Sequence, residues 1–108
     1  MEGPNVPRLR RTSFSCPAEI NTGGRWIHWD CVQGNLSLGG LFLSGENLAV
    51  DDLVHLRLLG AHRLEADGIV RRCDARGAGI DFRGLSEEQS RLIYEFIAEF
   101  TPGEMLAR

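Results

Sequence analysis

Asn35-Leu36-Ser37-Leu38-Gly39-Gly40-Leu41-Phe42-Leu43 is the stretch on which the fold turns. Asparagine, serine and paired glycines are the habitual residues of a tight turn, and Leu41-Phe42-Leu43 behind them reads as a short apolar strand. The sequence on either side has the same texture. Upstream, Phe14–Asn21 and Arg25–Gln33 flank Thr22-Gly23-Gly24, a hairpin connection because glycine tolerates positive φ. Downstream, Leu53–Leu58 alternates, with Val54, Leu56 and Leu58 on one face and His55 and Arg57 on the other. Gly60-Ala61 turns the chain into a further strand from about His62 to Arg72. Gly77 and Gly79 bracket the turn into Ile80–Phe82. Short strands recurring about every ten residues with turn signals between them mark a barrel or a sandwich.

The last element changes period. Leu92, Ile93, Phe96, Ile97 and Phe100 share one side of a helix, and Glu88, Glu95 and Glu99 lie elsewhere. Ser86 with Gln89 three residues later is a capping-box signature. Thr101-Pro102-Gly103 stops the helix. The apolar stripe is most simply a lid on the barrel.

At 108 residues the chain has room for one core. Hydrophobic residues make up 43% and charged residues 25%, which is globular rather than disordered composition. No apolar run approaches a membrane span, and the N-terminal MEGPNVPRLRR has no apolar segment behind its charges, so neither insertion nor secretion is expected. The three cysteines, Cys16, Cys31 and Cys73, are widely spaced and read as small half-buried thiols in a reducing compartment. A net charge of −3 argues against a partner that is a nucleic-acid polymer. Arg8, Arg10 and Arg11 nevertheless crowd the first dozen residues, and a short basic arm on an acidic domain suits a small anion. His28, His55 and His62 are scattered over three strands, His28-Trp29-Asp30-Cys31 is no metal motif, and neither Cys16 nor Cys31 has an assigned base. No catalytic residue, metal or cofactor is expected. Trp26 and Trp29, three apart in a strand, should face opposite sides.

In this order of elements the chain resembles the PilZ family. Asn35-x-Ser37-x-x-Gly40 fits the family's [D/N]-x-S-x-x-G hallmark, with the usual apolar strand after it. Upstream, Arg11-Thr-Ser-Phe-Ser-Cys-Pro-Ala-Glu-Ile20 is similar to the family's arm and first strand. Downstream, Gly68-Ile-Val-Arg-Arg72, Gly77-Ala-Gly-Ile-Asp-Phe82 and Leu85-Ser86 before a helix are similar to its closing elements. The similarity covers roughly residues 8–100. It implies a mainly β fold: a six-stranded antiparallel barrel with a C-terminal α-helix packed on it. Residues 1–12 form a flexible basic arm, 13–100 the barrel and helix, and 101–108 a short tail.

The resemblance also implies a bacterial, cytoplasmic, non-enzymatic receptor of the second messenger cyclic di-GMP, a monomer or weak dimer that relays to an unidentified signalling or motility protein. Family members that bind this ligand carry R-x-x-x-R in the arm, and here the spacing departs. Four residues before Arg11 stands Pro7, and four after Arg8 stands Thr12. The resemblance places Arg11 as the second motif arginine, with Arg8 or Arg10 as the displaced first. An arginine fork can pair with phosphate, grip the O6/N7 edge of guanine or stack on its face, which is why arginine rather than lysine belongs there. In the loop, Asn35 would accept from a guanine donor or hold an Asx-type bond, Ser37 would offer a hydroxyl, and Gly39 and Gly40 would let the backbone come close. Arg71 or Arg72 stands where the family often stacks a residue on guanine. Two readings stay open: a cyclic di-GMP receptor, favoured by the intact loop and three nearby arginines, and a divergent adaptor that binds proteins without nucleotide, favoured by the broken arm motif.

Overall fold

Period-two alternation decides which side chains enter the core. Phe14, Cys16, Ala18 and Ile20 point inward, as do Leu41 and Leu43, Val54, Leu56 and Leu58, Leu64, Ala66 and Val70, and Ala78 and Ile80, all of them buried. A computed structural model describes residues 12–44, 48–60 and 63–100, with backbone alone for 99 and 100. Six strands, β1 (Thr12–Thr22), β2 (Arg25–Leu36), β3 (Gly40–Leu43), β4 (Leu53–Leu59), β5 (Arg63–Asp74) and β6 (Gly77–Arg83), precede one helix, α1 (Glu87–Phe100). The strands pair antiparallel in the order β1-β2-β3-β6-β5-β4, and β4 closes on β1. Closure is partial along the longest strands: β1 meets β4 only from Ala18 to Thr22, and β2 meets β3 only from Gly34 to Leu36.

The β1–β2 hairpin turns on Gly23 and Gly24, with φ of 60° and 78°. Positive φ at both central residues is the primed turn whose twist matches the flanking strands. Two bulges break the regular register. In β2 the pairing slips between the partners of Cys16 and Ala18, opposite Pro17, which has no N–H to donate. Ile27 and Trp29 lean on the core before the slip, and Val32 and Leu36 enter it after. Trp26 faces out, 48% exposed, under the guanidinium of Arg57 at 4.5 Å. The tryptophans therefore face opposite sides, as their spacing requires.

Helix α1 starts as its capping box dictates. The Ser86 N–H donates to Gln89 Oε1 at 2.9 Å, and the Gln89 N–H donates to Ser86 Oγ at 3.0 Å. Gln89 Nε2 also donates to the Glu65 carbonyl of β5 at 3.1 Å, tying the helix to the barrel. Ile93, Phe96 and Ile97 are buried, and the Phe96 ring meets Phe14 of β1 edge-on at 6.0 Å. On the outer face Arg91 bridges Glu88 at 2.8 Å and Glu95 at 2.6 Å. Among the described residues, no helix is long and apolar enough to cross a membrane.

Several boundaries differ from the sequence reading. Thr12, assigned to the arm, opens β1 and is buried. β2 continues past Gln33 to Leu36, and β5 past Arg72 to Asp74. Only Cys16 is buried; Cys31 and Cys73 are exposed, because each stands beside a bulge or turn where alternation fails. Ala61, His62, the arm up to Arg11, the tail from Thr101 and the side chain of Phe100 lie outside the described residues.

Candidate functional site

The extra length of β2 changes the meaning of Asn35. It is a strand residue, set between Ser13 of β1 and Phe42 of β3, and not part of a turn. The turn proper runs from Ser37 to Gly40. The Ser37 N–H donates to the Gly40 carbonyl at 2.9 Å, its hydroxyl donates to the same oxygen at 3.3 Å, and the Gly39 N–H donates to Ser37 Oγ at 3.3 Å. Ser37 is 1% exposed. Its hydroxyl thus builds the turn from within. The turn is pinned to β6 by the Phe82 N–H, which donates to the Gly39 carbonyl at 3.0 Å.

Gly40 also has a local reason. A Cβ there would run into the Ile80 carbonyl oxygen of β6, so the missing side chain is what lets β3 pair with β6. The sequence reading gave this glycine to ligand approach; the close contact is with the barrel itself. Gly40→Ala should therefore lower stability by about 1–3 kcal/mol through overpacking against backbone. Urea unfolding measures it, and an unchanged midpoint would mean that β3 and β6 have slack.

One line of paired residues crosses four strands on the outer surface: Asn35 with Phe42, Phe42 with Gly79, and Gly79 with Arg72. β5 bulges at Arg71, between the pairs Val70–Ile80 and Arg72–Gly79. A regular strand would turn one of two consecutive side chains inward; the bulge leaves Arg71 and Arg72 both exposed. The result is a groove of about 860 Å³. Asn35, Ser37, Gly39, Gly40, Arg71 and Arg72 all line it, together with Phe42, Arg76, Gly79 and Asp81. Every candidate from the loop and the fifth strand is gathered there. Arg8, Arg10 and Arg11 lie outside the described residues, but Thr12, the next residue along, pairs with Leu36 beside Ser37.

The groove's charges are unequally engaged. Arg71 Nε lies 3.2 Å from Asp81 Oδ2. Arg76, in the β5–β6 turn, donates its backbone N–H to Asp74 Oδ1 at 2.8 Å and brings its guanidinium to 3.7 Å from the same carboxylate. That backbone bond, the Arg76 charge, the Gly77 N–H and the Arg72 charge together hold the Asp74 carboxyl below the usual range, against a smaller opposing effect of desolvation. Arg72 makes no hydrogen bond or ion pair with the described residues. Three cationic side chains around an open groove suit a small polyanion.

Phe42, Arg76 and Asp81 were not singled out from sequence. The Asp74-Ala75-Arg76-Gly77 turn carried a signal for Arg76, since Asp and Gly frame a turn that returns the chain beside Arg72. Nothing in the sequence told that Phe42, between two core leucines, faces the groove, except the alternation itself. His28 and His55 stand away from the groove, on the outer surface of β2 and β4. His28 lies 3.4 Å from Glu19 and 3.1 Å from Asp30; His55 lies 2.8 Å from Asp67 and 3.4 Å from Glu65. Among the described residues no three His, Cys, Asp or Glu are placed to hold a metal ion.

Among solved structures, the PilZ domain of CeSA from a cellulose-synthesizing bacterium is similar, with a TM-score of 0.61 at 18% identity, over 82% of this chain and 94% of that one. At that identity the likeness speaks for the fold alone. No curated protein matches the sequence. The family model for the PilZ domain matches residues 7–99. Since that match runs from before the first strand to the end of the helix, and the strands close in a barrel of the same kind, the chain belongs to the PilZ family of cyclic-dinucleotide receptor and adaptor domains.

Proposed function

We propose that this chain is a receptor for cyclic di-GMP, bound in the groove over β2, β3, β5 and β6 and enclosed by Arg8, Arg10 and Arg11 of the arm. The observation that carries the reading is the convergence of the loop residues with Arg71, Arg72 and Arg76 on one groove. Two phosphates call for cationic forks, and two guanines call for planar contacts and polar edges; the groove's lining offers both. What supports including the arm is that Thr12, the residue after Arg11, pairs with Leu36 beside the Ser37 turn. Ordering a short segment costs conformational entropy, so its charge-assisted contacts must exceed that cost. The surface shown to a partner protein then differs with and without nucleotide. That difference is the signal, and no bond in the ligand need be made or broken.

The off-register arginines favour a second reading, an adaptor that binds protein partners without nucleotide. Calorimetric titration of the full chain separates the two. Cyclic di-GMP should bind with measurable heat and GTP should not, because GTP lacks the second guanine and the closed ring of two phosphodiesters. Absence of heat at high micromolar cyclic di-GMP would leave the adaptor.

A further inference from the structure

We propose that the free edge of β2 pairs with the same edge of a second copy of this chain, antiparallel about a twofold axis at Ile27. The proposal is independent of the nucleotide groove and rests on how the barrel closes. One edge of β2 is taken by β1. On the other, β3 reaches only Gly34 to Leu36, and the Ser44 N–H adds one bond to the Gln33 carbonyl. Among the described residues nothing pairs with that edge between Arg25 and Val32. The hairpin fixes which backbone groups stand there. Thr22 and Arg25 flank a two-residue turn whose closing bond joins them. Bonding then alternates, so Arg25, Ile27 and Trp29 bond to β1, and the N–H and C=O of Trp26 and His28 point away from it. The bulge opposite Pro17 ends the regular stretch after Trp29. Arg25–Trp29 is thus a short straight edge centred on Ile27, with no proline or lysine to blunt it.

The edge is complementary to itself. Laid antiparallel about Ile27, it sets Trp26 opposite the partner's His28 on both sides of the axis, and each pair exchanges two backbone bonds. The side chains agree with that register. Trp26 is exposed, and so is the His28 imidazole that it would meet. Arg25 stands opposite the partner's Trp29, a cation opposite a π-face. Ile27 stands opposite the partner's Ile27, and no like charges oppose each other. Ile27 and Trp29 lean on the core but are only half-buried, so the partner covers apolar surface that the barrel leaves open. Moving the axis to His28 would set two imidazoles against each other and draw Asp30, at the bulge, into the ladder. The matching pairs belong to the stretch itself, which is why its occupant is a second copy and not an unrelated strand.

The test is sedimentation of the full chain, without nucleotide, over a rising concentration series, beside His28→Pro and His28→Thr. The contact is small, so the native dimer should form with a dissociation constant between about 10 μM and 1 mM. His28→Thr keeps the outward N–H and should still dimerise. His28→Pro deletes an N–H that β1 does not use, so the hairpin keeps its bonds and its melting temperature, while dimerisation weakens roughly tenfold or more. In a mixture of isotope-labelled and unlabelled native chains, a nuclear Overhauser contact should join the Arg25 Hα to the partner's Trp29 Hα, a pair whose Cα atoms would lie about 4.5 Å apart. A native chain that stays monomeric at about 1 mM would overturn the proposal and leave the edge to a different strand. Undiminished dimerisation of folded His28→Pro would place the interface elsewhere and overturn it too. Should His28→Pro fail to fold, the Overhauser contact decides: its presence in the native dimer supports the pairing, and its absence there refutes it.

Discussion

Phe96→Ala is expected to lower the stability of the domain by about 3–5 kcal/mol, the usual cost of emptying an aromatic site in a packed core. Phe96 is fully buried, its ring meets Phe14 edge-on, and it lies against Gly60 at the end of β4. It is thus the residue through which α1 plugs the barrel. The barrel cannot readily close over the gap, because the strands around it are fixed in a closed hydrogen-bonded ring. A domain of this size has only about 5–15 kcal/mol in total, so the variant should melt many degrees lower. Truncation before Leu92 removes Ile93 and Ile97 as well and should be more damaging. Thermal melts followed by circular dichroism give the answer; a native-like melting temperature in either protein would show that the helix is an ornament on a self-sufficient barrel.

The arm carries the other large effect. Arg11→Ala should abolish measurable cyclic di-GMP binding, and one of Arg8→Ala and Arg10→Ala should come close to doing so. The remaining arginine should matter little, since a solvent-facing charge is worth a fraction of a desolvated bidentate contact. The asymmetry is expected of an arm that wraps irregularly, because a regular strand would set Arg8 and Arg10 on one face and Arg11 on the other. In an extended segment, residues two or four apart share a face and residues three apart oppose one another, so the three arginines cannot all converge in a regular strand. Pro7→Arg restores the four-residue interval before Arg11 and should tighten binding. Titration of the four variants decides it. Equal small losses in all three alanine variants would mean diffuse attraction, and a gain of binding only in Pro7→Arg would mean that the native chain is the adaptor.

Most of the barrel was legible because its alternation is strict. Val54, Leu56 and Leu58 face inward as the pattern requires, the Gly23-Gly24 hairpin has the positive φ values that its glycines permit, and the Ser86/Gln89 box opens α1. What escaped the reading lies where alternation is broken by a non-local constraint. The bulge at Arg71 depends on the register of β5 against β6, which no local pattern reveals, and it alone makes Arg71 and Arg72 both groove residues. The same holds for Asn35. A turn signal and a strand end look alike in one dimension, and only pairing with Ser13 and Phe42 shows that the turn begins at Ser37. For Ser37 and Gly40 the reasons visible in the fold are local: a hydroxyl that ties the turn and a hydrogen where a methyl would strike Ile80.

The central claim is that this groove is the nucleotide site, and amide chemical-shift mapping of the isotope-labelled full chain with cyclic di-GMP tests it most directly. The account predicts the largest shifts at Asn35, Gly39, Arg72 and Gly79, saturating together with one affinity, and little change at His28, His55 or Glu65 on the far surface. Saturating shifts confined to the Trp26, Arg57 and Glu65 surface, or none at a large excess of nucleotide, would contradict it.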